Sequence, residues 1–137
     1  MITDCIFCKI AAGDIPSQKI YESDQALAFL DIHPLSDGHA VVISKTHAAD
    51  ITELPDAEIG PLFTAVKEVT ALLATKLRVG HFTIGINHGE AAGQMVPHLH
   101  VHIIPRSPGD GGESLHGVLK KNNTKESVET IHKKIIA

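Results

Sequence analysis

The alternation of residues 98–102 constrains the fold of this chain more than any other feature of its sequence. His98, His100 and His102 alternate there with Leu99 and Val101. A strict alternation of polar and apolar residues is typical of a β-strand, in which residues i, i+2 and i+4 share one face. Because buried ring nitrogens need partners, three imidazoles in a row on an apolar strand indicate a functional site rather than an idle surface.

The other segments predict an α+β fold: a five-stranded antiparallel sheet with one long helix and short terminal helices. Apolar residues spaced three and four apart predict the long helix over Asp56–Leu77, with either a kink or its regular start at Pro61. Strand-like runs occur at residues 18–22, 26–31, 39–44, 82–87 and 98–104. Most connections between these runs are too short for helical crossovers, which favours antiparallel pairing.

The length of 137 residues fits a single domain. We expect the domain to occupy residues 1–110 and a C-terminal tail to occupy residues 111–137. Glycine and proline make residues 107–112 a flexible linker. Beyond them, Asn123 is a candidate N-cap, and the stripe of Val128, Ile131, Ile135 and Ile136 predicts a helix that packs on the domain.

Composition excludes several partners. The formal net charge of −4 gives no basic surface for nucleic acid. No stretch approaches the roughly 18 apolar residues that span a bilayer, and the first residues lack the pattern of a signal peptide. We therefore expect a cytoplasmic protein that binds neither nucleic acid nor a membrane.

The chain has two cysteines, Cys5 and Cys8, separated by two residues. This spacing suits a tetrahedral zinc ion, which needs two further ligands. The alternative is a pair of reduced cysteines without a metal. A thioredoxin-like redox role is disfavoured because the pair does not follow a strand in a βαβ unit.

The histidine row has two functional interpretations at this stage. The three rings would be metal ligands, or one neutral imidazole would be a nucleophile whose tautomer is fixed by a hydrogen bond at its other nitrogen. The second interpretation requires donors for phosphoryl oxygens, which Gly93 and Gln94 offer just before the strand. It also requires a nucleoside pocket, for which Phe29, Asp31 and Asn87 on neighbouring strands are candidates.

Residues 97–104, PHLHVHII, match the His-φ-His-φ-His-φ-φ signature, where φ is an apolar residue, and the chain resembles the histidine triad (HIT) family of nucleotide hydrolases and transferases. Companion segments follow in the family's order: CIFCKI at 5–10, AFLDI at 28–32, Gly38-His39, VISK at 42–45 with His47, Asn87, and Gly93-Gln94. The resemblance covers about residues 4–106 and is greatest to the Hint-like branch that carries an N-terminal CxxC.

The resemblance implies a role for each residue of the predicted site. His100 would attack the α-phosphorus and form a covalent nucleotidyl-imidazole intermediate, and His102 would contact the phosphate. His98 would support the site, directly or through a metal. Gln94 and the backbone at Gly93 would hold phosphoryl oxygens and the leaving group.

The remaining implied contacts concern the nucleoside and the metal. Asp31 would accept hydrogen bonds from ribose hydroxyls, and Asn87 would lie on the ribose–phosphate side. The purine would lie among Phe7, Ile10, Phe29, Leu30 and Ile32. Cys5, Cys8, His47 and His98 would bind a structural zinc ion that takes no part in the chemistry.

The implied substrate is a purine nucleotide conjugate resembling adenosine 5′-phosphoramidate. Two alternatives stay open: a dinucleoside polyphosphate hydrolase, favoured by Pro105-Arg106, and a regulatory module that binds a purine nucleotide with little turnover. Met95 bears on this choice, because many Hint-like members have a serine or threonine there that helps to protonate the leaving amine. The resemblance also implies a homodimer in which the sheet continues across two subunits and the long helix lies at the interface.

Overall fold

A five-stranded antiparallel sheet with strand order β1-β2-β3-β5-β4 lies at the centre of the computed structural model, which describes residues 4–137. This confirms the predicted α+β class. The strands and helices are α1 (Ile6–Ala11), β1 (Lys19–Glu22), β2 (Ala26–Leu30), β3 (Ala40–Ser44), α2 (Asp56–Leu77), β4 (His81–Gly85), β5 (His100–Arg106) and α3 (Val128–Ile136).

The long helix α2 has the bounds that the apolar spacing predicts. Its regular part begins at Asp56, so the alternative start at Pro61 is wrong. Pro61 lies in the second turn, where its missing N–H removes a single backbone hydrogen bond near the helix end. The helix ends at Arg78, which adopts the left-handed conformation with φ 57°.

The two faces of the sheet bury different sets of side chains. Leu99, Val101 and Ile103 face α2 and are at most 1% exposed. The opposite face carries a smaller cluster made of Leu27, Phe29, Val41 and Ile43, against which Phe7 and Ile10 of α1 pack. The predicted alternation of β5 is therefore confirmed, and its histidines lie on the face opposite α2.

Strand β5 is paired along both edges, which holds its residues in register. On one side Ile43 of β3 pairs with His100, and Val41 pairs with His102. On the other side Gly85 of β4 pairs with His102. The strand begins at His100 rather than at His98, so His98 precedes it at the edge of the sheet. His100 and His102 thus lie on a strand in the interior of the sheet, whereas His98 lies just before it.

The segment after β5 is more ordered than a flexible linker. The Arg106 guanidinium donates two hydrogen bonds to the Asp110 carboxylate, at 2.7 and 3.0 Å, and a third to Thr83 Oγ1. Helix α3 follows, with Ser127 rather than Asn123 as its N-cap. Residues 118–137 are all exposed, so the apolar stripe of α3 is uncovered in the single chain.

Among the described residues, no helix combines the length and apolar character that crossing a bilayer requires.

Candidate active site and metal centre

The ring of His100 is held in one tautomer by the backbone. Its Nδ1 lies 2.8 Å from the carbonyl oxygen of His98. Because a carbonyl oxygen only accepts, Nδ1 must carry the proton, and Nε2 then has a free lone pair. His100 is 6% exposed and lines a cavity. This is the state in which a neutral imidazole can act as a nucleophile.

His102 is oriented by a second histidine from the neighbouring strand. Its Nδ1 lies 3.0 Å from Nε2 of His39, and His39 Nδ1 accepts a 3.1 Å hydrogen bond from the amide of Leu35. The amide therefore places the His39 proton on Nε2, which donates to His102 and leaves the His102 proton on its own Nε2. Asp31 Oδ2 lies 3.6 Å from the same His39 nitrogen. His102 thus becomes a hydrogen-bond donor through Nε2.

Both members of this pair are uncharged at neutral pH. Burial, followed by the neighbouring rings of His100 and His39, lowers the pKa of His102 to about 4. Burial also lowers the pKa of His39, against the opposing effect of the Asp31 carboxylate. His39 and His102 are accordingly neutral imidazoles rather than imidazolium cations.

A cavity of about 540 Å³ opens over the histidine face of β5, a volume suited to a small ligand. Of the residues predicted for nucleotide binding and catalysis, the cavity is lined by Phe7, Ile10, Phe29, Leu30, Asp31, Ile32, Asn87, Gly93, His100 and His102. No lysine or arginine occurs among the described residues that line it. The cavity therefore offers hydrogen-bond donors and apolar surface, but no cation for a polyanionic group.

The cavity is also lined by Met95, which was expected near the leaving group, and by His39, which was expected near the pocket. The sequence did not single out Ile6, Ile15, Pro16, Ser17, His33, Val41 and Val96, which line it too. The alternation of β3 was a signal for Val41, which lies two residues before Ile43 on the same face. The place of His39 after Gly38, at the start of a strand, indicated a position near the pocket, but its contact with His102 was not predicted. Residues 15–17 carry no local signal, because they reach the cavity only through the path of the loop after α1.

Gln94 lies beside the cavity rather than in its lining. Its side-chain oxygen accepts a 2.8 Å hydrogen bond from the Gly89 amide, and its Nε2 donates to the carbonyls of Ala49 and Val96 at 2.7 and 3.0 Å. The backbone amides of Gly93 and Gln94 also donate within this loop. These groups hold the loop before β5 together, and their donors are not directed at the cavity.

Four residues predicted as metal ligands are brought together behind the cavity. The donor atoms of Cys5, Cys8, His47 and His98 all lie within 4.8 Å of one another. Sulfur–nitrogen distances are 3.4 Å for Cys5–His98, 3.3 Å for Cys8–His47 and 3.6 Å for Cys8–His98. Thiolate and imidazole ligands of one tetrahedral zinc ion lie about 3.6 Å apart, so the spacing fits zinc.

The protonation of His98 also fits a metal ligand. Its Nε2 lies 2.7 Å from the Ser44 carbonyl and must carry the proton, which leaves the Nδ1 lone pair facing the two sulfur atoms. Burial lowers the pKa of His98, which favours the neutral, ligating form. His98 does not line the cavity, so the structure places it with the cysteines rather than with His100.

An antiparallel sheet that presents alternating histidines in a small-ligand cavity defines a histidine triad protein. The family model described as the HIT domain matches residues 12–109, and the chain belongs to this family.

Three known proteins illustrate the similarity. The chain is 46% identical over 102 residues to an adenosine 5′-monophosphoramidase of Schizosaccharomyces pombe, which covers 74% of each chain. A solved structure of a HIT family member from Bacillus subtilis is 40% identical with a TM-score of 0.83, covering 97% of this chain and 95% of that one. A zinc-bound histidine triad family protein from Mycobacterium smegmatis is 38% identical with a TM-score of 0.74, covering 79% and 78%.

Proposed function

We propose that this protein hydrolyses or transfers purine nucleotide conjugates at the α-phosphorus, through a covalent intermediate on His100. The observation that carries the proposal is the 2.8 Å hydrogen bond from His100 Nδ1 to the His98 carbonyl, which leaves Nε2 unprotonated inside the cavity. Membership of the HIT family and the phosphoramidase activity in the name of the fission yeast relative support the same reaction class.

The reaction proceeds in two balanced displacements. His100 Nε2 forms a bond to the α-phosphorus while the bond from phosphorus to the leaving group breaks, and the leaving amine takes up a proton from solvent. Water then attacks the same phosphorus and loses a proton to solvent, the P–N bond to His100 breaks, and the nucleoside monophosphate leaves. Throughout, the Nε2–H of His102 donates to a phosphoryl oxygen, an arrangement prepared by His39.

The cavity supports a nucleoside conjugate with a neutral leaving group. The purine lies among Phe7, Ile10 and Phe29, and the Asp31 carboxylate accepts hydrogen bonds from the ribose hydroxyls. Since no lysine or arginine lines the described part of the cavity, a chain of further phosphates would bury charge without a partner. This favours substrates resembling adenosine 5′-phosphoramidate over dinucleoside polyphosphates.

The Cys5–Cys8–His47–His98 cluster is proposed to hold a structural zinc ion. Four protein ligands would fill the coordination sphere of the ion, so it would not act as a Lewis acid on the substrate. The ion would instead cross-link α1, the loop after β3 and the segment just before β5. The zinc-bound relative from Mycobacterium smegmatis supports this assignment. A cytoplasmic location agrees with it, because the two thiols need a reducing compartment.

We also propose a homodimer formed along β4. This strand is at the end of the sheet, it pairs with β5 along one edge, and Ile84 on it is 40% exposed. Pairing with a second β4 would continue the sheet and remove an open edge, which is a known liability of exposed strands.

The test of the proposed function is mass spectrometry of protein quenched shortly after mixing with adenosine 5′-phosphoramidate. We expect the wild type to gain one adenylate group, whereas H100A gains none and loses at least about a thousandfold in activity. The H116A variant is the matched control, since His116 is exposed in the tail and outside the cavity.

Two results would count against this mechanism. Release of AMP by the wild type without any adduct would indicate direct attack by water. Tight AMP binding with turnover near background would favour the regulatory module instead. Calorimetry of AMP binding to H100A shows whether that variant is folded, which keeps its loss of activity interpretable.

A further inference from the structure

Helix α1 belongs to the metal centre and to the ligand cavity at the same time. Cys5 caps its N-terminus and Cys8 lies within it, and both sulfur atoms face His98. Between them in sequence, Ile6 and Phe7 line the cavity, as does Ile10 one turn later. The same six-residue helix therefore carries two candidate metal ligands and one wall of the proposed purine pocket.

Phe7 is the residue that joins the two regions most directly. Its ring makes edge contacts with the rings of His100, Phe29 and His98, at centroid distances of 5.2, 5.5 and 5.9 Å. Phe7 thus touches the proposed nucleophile, the purine pocket and a metal ligand.

The position of α1 depends on its contacts with the rest of the chain. A helix of six residues is too short to be stable alone in water, so its location must come from contacts with the rest of the chain. Among the described residues, those contacts include the packing of Phe7, Ile10 and Ala11 on the sheet and the sulfur–histidine contacts of Cys5 and Cys8. A metal ion would replace weak S–H···N hydrogen bonds by coordinate bonds to residues about 40 and 90 positions away in sequence.

The hydrogen bond and the strand pairing that orient His100 lie outside α1, although the ring of Phe7 also contacts the His100 ring. The orientation of His100 depends on the His98 carbonyl and on the pairing of β5 with β3, and the His98 ring keeps a hydrogen bond to the Ser44 carbonyl. Loosening α1 would accordingly open the purine wall and leave the nucleophile in place.

We propose that the metal centre determines the affinity of the cavity for nucleotides, with Phe7 as the residue through which α1 acts on the ligand. This inference rests on the proposed nucleotide-binding function. The occupied centre keeps α1 against the sheet, and its loss weakens binding of the nucleoside without changing the chemical step. Phe7 is a positioning residue in this scheme, and specificity for the base follows from the wall that it forms.

The experiment compares full-length protein loaded with zinc and the same protein stripped by a chelator. The dissociation constant for AMP is measured by calorimetry, and the exchange of the α1 amides is measured by mass spectrometry. We expect stripping to raise the AMP dissociation constant about tenfold or more and to speed exchange in α1. KM should rise by a similar factor, while kcat stays within about threefold.

Zinc-loaded F7L tests the same idea without removing the metal. We expect it to raise the AMP dissociation constant about tenfold, whereas F82L changes it less than about twofold, since Phe82 is half-buried on the α2 side and outside the cavity. Stripping zinc from F7L should add little, because the two changes act through one ring and are not additive.

Equal AMP affinity of the loaded and stripped proteins would overturn this inference and leave the proposed function intact. An equal loss in F82L and F7L would also overturn it, since that result indicates general destabilisation. Failure of the zinc-loaded wild type to bind AMP at all would instead refute the proposed function, and the inference with it.

Discussion

At the scale of single residues, the uncharged His102 links stability to pH. Its pKa is about 4 in the folded chain against an ordinary value of 6.5, so the unfolded state binds more protons between these values. Its contribution to stability is complete above pH 6.5 and is lost as the pH falls towards 4. We expect the Tm, followed by circular dichroism, to drop by roughly 5 °C or more between pH 7 and pH 4.5.

The H102F variant isolates this contribution, because phenylalanine fills the same space and does not titrate. We expect its Tm to depend less on pH over this window than that of the wild type. H132A, changed in the exposed α3, should keep the wild-type dependence. Identical pH profiles of wild type and H102F would show that another group controls the acid response.

Features of single residues that depend on a short stretch of sequence were predicted, whereas contacts between distant segments were not. The shared face of His100 and His102 was predictable, because the period of a strand is contained in five residues. The contact of His39 with His102 was not, since it joins residues 63 positions apart and depends on the pairing of β3 with β5. For Gln94 the sequence predicted a contact that the fold does not provide. An amide side chain suits a phosphate contact, but in the fold the amide of Gln94 is occupied by hydrogen bonds within its own loop and to Ala49.

At the scale of elements, the open edge of β4 predicts the assembly state. We expect the wild type to be a dimer by analytical ultracentrifugation and I84K to shift strongly towards the monomer, because a lysine at an open edge opposes strand pairing. K19E, a charge change on the opposite edge strand β1, should leave the dimer unchanged. A wild type that sediments as a monomer would refute the proposed interface.

Helix α2 and the five strands were predictable because each carries its own period. Helix α2 matched its expected bounds, and the ends of the strands shifted by no more than two residues. The error at Pro61 arose because a proline is judged from sequence as a helix breaker, whereas its actual cost depends on how near it lies to the first turn. The antiparallel pairing of the strands followed from the connection lengths, but the strand order, with β5 between β3 and β4, and the position of α1 over the cavity did not.

At the scale of the whole molecule, the exposure of the tail indicates which residues the domain needs for its thermal stability. Residues 118–137 are exposed, whereas the segment just after β5 is held by the ion pair between Arg106 and Asp110. We expect a chain truncated after Lys120 to keep its Tm within about 3 °C, measured by differential scanning calorimetry at low protein concentration. A truncation after Arg106, which keeps β5 whole but removes Asp110 and with it the Arg106–Asp110 pair, is the contrasting control and should lower the Tm clearly.

A large loss of Tm in the chain truncated after Lys120 would contradict this expectation. It would support the packing of α3 on the domain that its apolar stripe indicates, with Val128, Ile131 and Ile135 covered in the assembled protein. The family model ends at residue 109, so the tail is a part of the chain that the family pattern does not describe.

The alternation along β5 has a consequence for how chains of this kind can change in length. Because β5 is paired on both sides and its side chains repeat every two residues, deleting one residue within it would turn the imidazoles into the apolar core and the valine and isoleucine into the cavity. Substitutions there alter chemistry, but insertions and deletions invert the site. We therefore expect insertions and deletions among relatives to occur in the loop at residues 88–94 and in the tail, while the length of β5 stays the same.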